Sequence, residues 1–94
     1  MSDNHKQVVR EVRICNVQGL HARPVMHFVD TAGKFACRIR VEKGTQSVDG
    51  KSPMEMMLLE ATQGTVLKLV ADGDDAGQAV EALAKLIGDK FGED

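Results

Sequence analysis

Six residues, Gly19-Leu20-His21-Ala22-Arg23-Pro24, set an imidazole and a guanidinium two positions apart where the period of the chain changes. Upstream the apolar residues alternate and downstream they recur at helical spacing, so His21 falls at the edge of a helix's first turn. Backbone N–H groups there have no intrahelical acceptor. With roughly half a unit of positive dipole charge they form an anion site. A phosphoryl group on the imidazole would meet those donors, and Arg23 would add a planar guanidinium fork. The positive helix end disfavours a second positive charge on the ring, and a neutral imidazole is a competent nucleophile for phosphoryl groups. Pro24 is tolerated because a first-turn residue needs no donor, although it biases Arg23 away from helical geometry. A histidine in this place also serves as an ordinary turn or capping residue. Spacing alone does not choose.

Ser52-Pro53 is the second place of interest. Serine is a good N-cap and proline a good first helical residue, which explains the pair without further function. A phosphate on Ser52 would also be accommodated by the helix end. Met54, Met56, Met57, Leu58 and Leu59 follow with only Glu55 between them. A helix on a thin domain cannot bury all five, so some are expected outside as an adaptable docking surface, with Met56 and Leu59 in the core.

The remaining candidates are weaker. His27 lies six residues after His21, roughly 240° around a helix, so the two cannot chelate one metal. His5 sits in the polar N-terminal segment and is expected to be solvated. Cys15 and Cys37 are 22 residues apart with no metal-site spacing, and they read as reduced, small apolar residues. No P-loop, GxSxG or HExxH pattern is present, so no cofactor and no metal is called for. A hydrolase or transferase using His21 as general base lacks a second catalytic group.

The elements that must position these residues follow from period. Residues 8–17 alternate, with Val12 and Ile14 on one side and Glu11 and Arg13 on the other. Residues 22–33 form a helix with Val25, Met26, Phe28, Val29 and Ala32 on its stripe, and Gly33 stands where a left-handed cap is expected. A strand over 36–43 sets Cys37, Ile39 and Val41 against Arg38, Arg40 and Glu42, and Gly44-Thr45 turns it into a short partner over 46–49. The second helix opens at Ser52-Pro53 and is expected to close near Gln63-Gly64. A last strand over 65–71 leads to a helix from Asp74 or Asp75 towards Phe91, striped by Ala76, Ala79, Val80, Leu83, Leu86 and Ile87. The order β-α-β-β-α-β-α suits a two-layer α+β domain, an antiparallel sheet with helices on one face.

Ninety-four residues suit one domain, 1–94, with a flexible extension over 1–7. Three Phe and no Trp or Tyr leave the core to aliphatic residues and Met. So small a core leaves no room for a large internal cavity, and chemistry is expected on the surface. A formal charge of −2 and the shortage of aromatics argue against a nucleic-acid binder. No apolar run approaches the ~20 residues that cross a bilayer, and no hydrophobic leader opens the chain. A cytoplasmic location is expected.

The segment GLHARP, followed by a helix, resembles the active-site signature of the HPr family, the histidine-containing phosphocarriers of the bacterial phosphotransferase system. Gly50-Lys51-Ser52-Pro53-Met54-Glu55-Met56-Met57-Leu58-Leu59 is similar to that family's regulatory serine segment, and the resemblance spans about residues 8–91. It implies that His21 accepts a phosphoryl group at Nδ1 from phosphorylated enzyme I and donates it to IIA components of sugar permeases, with Arg23 stabilising the group. It implies an open-faced β-sandwich of four antiparallel strands and three helices, and a cytosolic monomer that carries phosphoryl groups rather than a stand-alone enzyme. Ser52 matches the serine modified by HPr kinase/phosphorylase, which would be a further partner. Ala22, Pro53, Met54 and Met57 match the docking surface. Pro53 stands where the family commonly has a large aliphatic residue, which alters that surface and strengthens the capping explanation of Ser52. A regulatory protein of the nitrogen branch, or one controlled by a kinase, is the alternative reading.

Overall fold

The computed structural model describes residues 6–93. The expected extension over 1–7 lies outside these as far as residue 5, His5 included. Lys6 and Gln7 belong to the fold instead. The Lys6 carbonyl accepts from the Gly73 N–H at 3.1 Å, and Gln7 opens the first strand opposite Asp72.

The elements run β1 (Gln7–Arg13), α1 (Ala22–Ala32), β2 (Arg38–Lys43), β3 (Gln46–Asp49), α2 (Pro53–Met57), β4 (Val66–Asp72) and α3 (Ala76–Gly88), with a 3₁₀ turn over Lys90–Gly92. One antiparallel sheet holds the strands in the order β1-β4-β2-β3. Alternation along β2 and β4 turns Ile39, Val41, Leu67, Leu69 and Ala71 inward. Val25, Phe28 and Ala32 of α1 meet them with Ala79, Val80, Leu83 and Ile87 of α3. The other face carries Val9, Glu11, Arg38, Arg40 and Lys68 in solvent, so the sandwich is open on one side. The expected architecture is the one observed.

Several boundaries differ from the sequence reading. β1 ends at Arg13 rather than running to residue 17, because the chain leaves the sheet for the turn braced by Asn16, and β2 opens at Arg38 rather than at 36. α2 stops at Met57, not near Gln63: its last carbonyls are closed three residues on by the N–H groups of Leu58, Leu59 and Glu60. Side chains of the β2-β3 hairpin take the next two, Lys43 Nζ donating to Leu59 O at 2.7 Å and Gln46 Nε2 to Leu58 O at 3.1 Å. Glu60 then turns left-handed at φ 47°, and the Ala61 carbonyl is claimed by the Leu20 N–H at 2.8 Å. α3 stops at Gly88, three residues before Phe91, where left-handed Lys90 and Phe91 reverse the chain and drop the Phe91 ring into the core. Gly33 caps α1 at φ −66° rather than left-handed, its N–H continuing to Val29 O at 2.9 Å.

Asp75 precedes α3 but does not cap it through its side chain. Its carboxylate accepts the N–H groups of Ala36 and Cys37 at 2.8 and 2.9 Å, tying the approach to β2 onto the head of α3. The Ala36 N–H, first among these contacts, holds the Asp75 carboxyl below its ordinary range. Burial, with Asp75 beside it, pushes the Cys37 thiol up, as befits a packed residue. Cys37 and the half-buried Cys15 are both free thiols.

Candidate functional site

The entrance to α1 is shaped by the turn before it. Gly19 adopts φ 70°, and a Cβ there would lie 2.5 Å from the Ala61 carbonyl oxygen, so only glycine fits. Asn16, wholly buried, donates from Nδ2 to the Gly19 carbonyl at 2.8 Å and braces the turn. Leu20 packs inward while its N–H bonds across to Ala61. His21 is delivered to the N-cap position in extended conformation (φ −90°, ψ −171°), with no side-chain cap bond.

Val25 supplies the first N–H that closes back, to the His21 carbonyl at 3.1 Å. Pro24 has none, so the amides of Ala22 and Arg23 lack intrahelical acceptors at the positive helix end, and no acidic residue occupies the first turn. His21 and Arg23 share a surface recess of about 350 Å³ with Val17, Gln18 and Glu93. No hydrogen bond or ion pair holds the Arg23 guanidinium to another described residue, which leaves the fork available for an anion.

The His21 ring is oriented by a residue the sequence reading did not find. Nε2 lies 2.9 Å from Oε2 of Glu93, and Oε1 of Glu93 accepts from Asn16 Nδ2 at 3.0 Å. A carboxylate can only accept, so Nε2 carries the hydrogen and the lone pair of the neutral ring sits on Nδ1. The contact joins residues 72 apart in sequence through the left-handed turn at Lys90 and Phe91, and no local pattern announces it.

Pro53, Met54 and Met57 of α2 lie beside Ala22 across the junction with α1, and together with Val25, Met26 and Leu58 they line one shallow apolar hollow. Met54 is 78% exposed and Leu58 61%, whereas Met56 and Leu59 are fully buried. Met26, assigned from its spacing to the buried stripe of α1, is half-exposed here instead: it lies about 100° around the helix from Val25, off the face that Val25, Phe28 and Ala32 bury, and lines the hollow. Leu58 had no assignment; it is exposed because α2 ends before it.

Ser52 is partly exposed and caps α2, its Oγ accepting the Glu55 N–H at 3.2 Å. His27 is exposed on the second turn of α1. Among the described residues no group of three His, Cys, Asp or Glu could hold a metal, and no helix is long and apolar enough to cross a membrane.

A half-exposed imidazole on a rim, beside free amides and an apolar hollow, suits a protein that presents one reactive atom to other proteins rather than enclosing a substrate. Comparison with known proteins gives that class a family. The PTS-HPr family, described as "PTS HPr component phosphorylation site", matches residues 8–89. The phosphocarrier protein HPr of Pseudomonas aeruginosa is 44% identical over 84 residues, which cover 88% of this chain and 93% of that protein. A crystal structure of HPr from Thermoanaerobacter tengcongensis superposes with a TM-score of 0.86 at 49% identity, covering 95% of this chain and 98% of that one. HPr from Bacillus anthracis superposes at 0.83 with 36% identity over 86% of this chain and 96% of that one. The chain belongs to the HPr family of phosphocarriers of the phosphotransferase system. That membership implies interaction with phosphotransferase-system enzymes such as enzyme I and IIA.

Proposed function

We propose that Nδ1 of His21 accepts a phosphoryl group from phosphorylated enzyme I and passes it to IIA components, with Arg23 binding the group during both transfers. The observation that carries this reading is the Glu93 contact at Nε2, which leaves the lone pair on Nδ1 at the head of a helix whose first amides are unoccupied. The hollow formed by Ala22, Pro53, Met54 and Met57, extended by Met26 and Leu58, is the docking surface for these partners. An apolar patch next to the acceptor lets successive proteins bind by burial while their charged groups reach His21. Ser52 is a second, regulatory phosphorylation site for an HPr kinase/phosphorylase, supported by its partly exposed hydroxyl and its match to the family's serine segment. The chain works as one domain, a monomer in the cytoplasm.

Incubation with enzyme I and phosphoenolpyruvate, followed by intact mass at neutral pH, tests the reading. One acid-labile phosphate is expected on the wild-type protein, lost in His21→Ala and retained in Ser52→Ala. Label that survives His21→Ala would overturn the assignment. Incubation with ATP and HPr kinase tests the second site, and a protein left unmodified would reduce Ser52 to a cap.

A further inference from the structure

The contacts around His21 carry one step more, which rests on the reading above. Glu93 is held on both oxygens, by His21 Nε2 at 2.9 Å and by Asn16 Nδ2 at 3.0 Å. Asn16 is fully buried, and its amide hydrogens go to the Gly19 carbonyl and to Glu93. Its Oδ1 is buried without a partner. An orphaned buried carbonyl is costly, and what the amide gains against that cost is the brace on Gly19 together with the bond to Glu93. Lys90 and Phe91 adopt φ 59° and 56°, a left-handed region that non-glycine residues rarely occupy, and this turn aims Glu93 at the ring. Two unfavourable features thus converge on one carboxylate.

We propose that Glu93, anchored by Asn16, is a positioning residue that keeps Nε2 of His21 protonated through both transfers and supplies the counter-charge for the phosphorylated ring. In the first transfer the Nδ1 lone pair attacks phosphorus, and the bond from phosphorus to the donor breaks with its electron pair staying on the donor. The ring then carries phosphorus on Nδ1 and hydrogen on Nε2, and so a positive charge facing the Glu93 carboxylate. In the second transfer the acceptor's lone pair attacks phosphorus and the Nδ1–P pair returns to the ring. Because Nε2 keeps its hydrogen, the leaving group is neutral imidazole; without that hydrogen it would be imidazolate, a far poorer one. The Nε2 proton itself never moves.

The test compares wild-type protein, Glu93→Gln and Glu93→Ala, all full length, as the varied substrate of phosphorylated enzyme I. Proton NMR of the imidazole Nε2–H in the phosphorylated proteins accompanies the kinetics. Glu93→Ala is expected to lower kcat about tenfold, the scale of one hydrogen bond to a charged group. KM should change less than about twofold, because docking lies elsewhere. Glu93→Gln, which keeps an acceptor but loses the charge, should fall between, and the sheltered Nε2–H resonance should vanish by exchange in Glu93→Ala only. Wild-type kcat with a persistent Nε2–H signal in Glu93→Ala, or a loss confined to KM, would overturn the proposal while leaving His21 as acceptor. Failure of the wild-type protein to take label on His21 would overturn the underlying reading instead.

Discussion

Two helices begin side by side in this molecule, and they treat their free amides in opposite ways. α1 spans 11 residues, opens on His21 with no side-chain cap and has no acid in its first turn. α2 spans five, opens on Ser52, whose Oγ takes the Glu55 N–H, and holds Glu55 in its first turn. The Glu55 carboxylate also accepts the Asp49 N–H at 2.9 Å. The first entrance leaves donors and positive potential for an incoming anion, whereas the second satisfies its own donors and places a carboxylate nearby. A phosphate on Ser52 would displace a cap and face Glu55, whereas one on His21 displaces nothing. Proline in each first turn makes the two look alike in sequence; what differs is who fills the donors.

Reversing the charge at the open entrance should have the largest effect. Arg23→Glu puts a carboxylate at the vacant amides, and transfer from enzyme I should slow on the order of a hundredfold with the thermal midpoint unmoved. Rapid-quench kinetics beside a melting curve would check this, and unchanged rates would remove Arg23 from its role. The hollow between the entrances comes next. Met54→Asp should raise KM for enzyme I about tenfold at unchanged kcat, as for a docking anchor; a normal KM would place docking elsewhere. At the closed entrance the effect is on folding, with transfer from enzyme I untouched. Ser52→Ala should cost about 1 kcal/mol in urea unfolding by loss of the cap, with enzyme I-dependent labelling as in wild type. Slower labelling would mean that the two entrances are coupled.

How much of this was legible in sequence follows from how local each feature is. Alternation at Cys37, Ile39 and Val41 and the stripe from Ala76 to Ile87 are set by burial against one sheet face, and they led to the observed architecture. The GLHARP segment marked the candidate site because the helix start, the histidine and the arginine lie within six residues, while the phosphocarrier reading came from its resemblance to a family signature. The early end of α2 was hidden, since Lys43 and Gln46 reach the carbonyls just beyond it from the β2-β3 hairpin. Glu93 and Asn16 were hidden further, their contact spanning 77 residues. The single usable signal was Asn16 three residues ahead of Gly19, which suggests a braced turn but not what the brace holds.

The central claim is that one ring atom of His21 carries the phosphoryl group. NMR of the enzyme I-phosphorylated, histidine-¹⁵N-labelled protein tests it directly, by reading which nitrogen is coupled to phosphorus. The account predicts coupling to Nδ1 of His21 with hydrogen retained on Nε2, and coupling to Nε2, or to no nitrogen of His21, would contradict it.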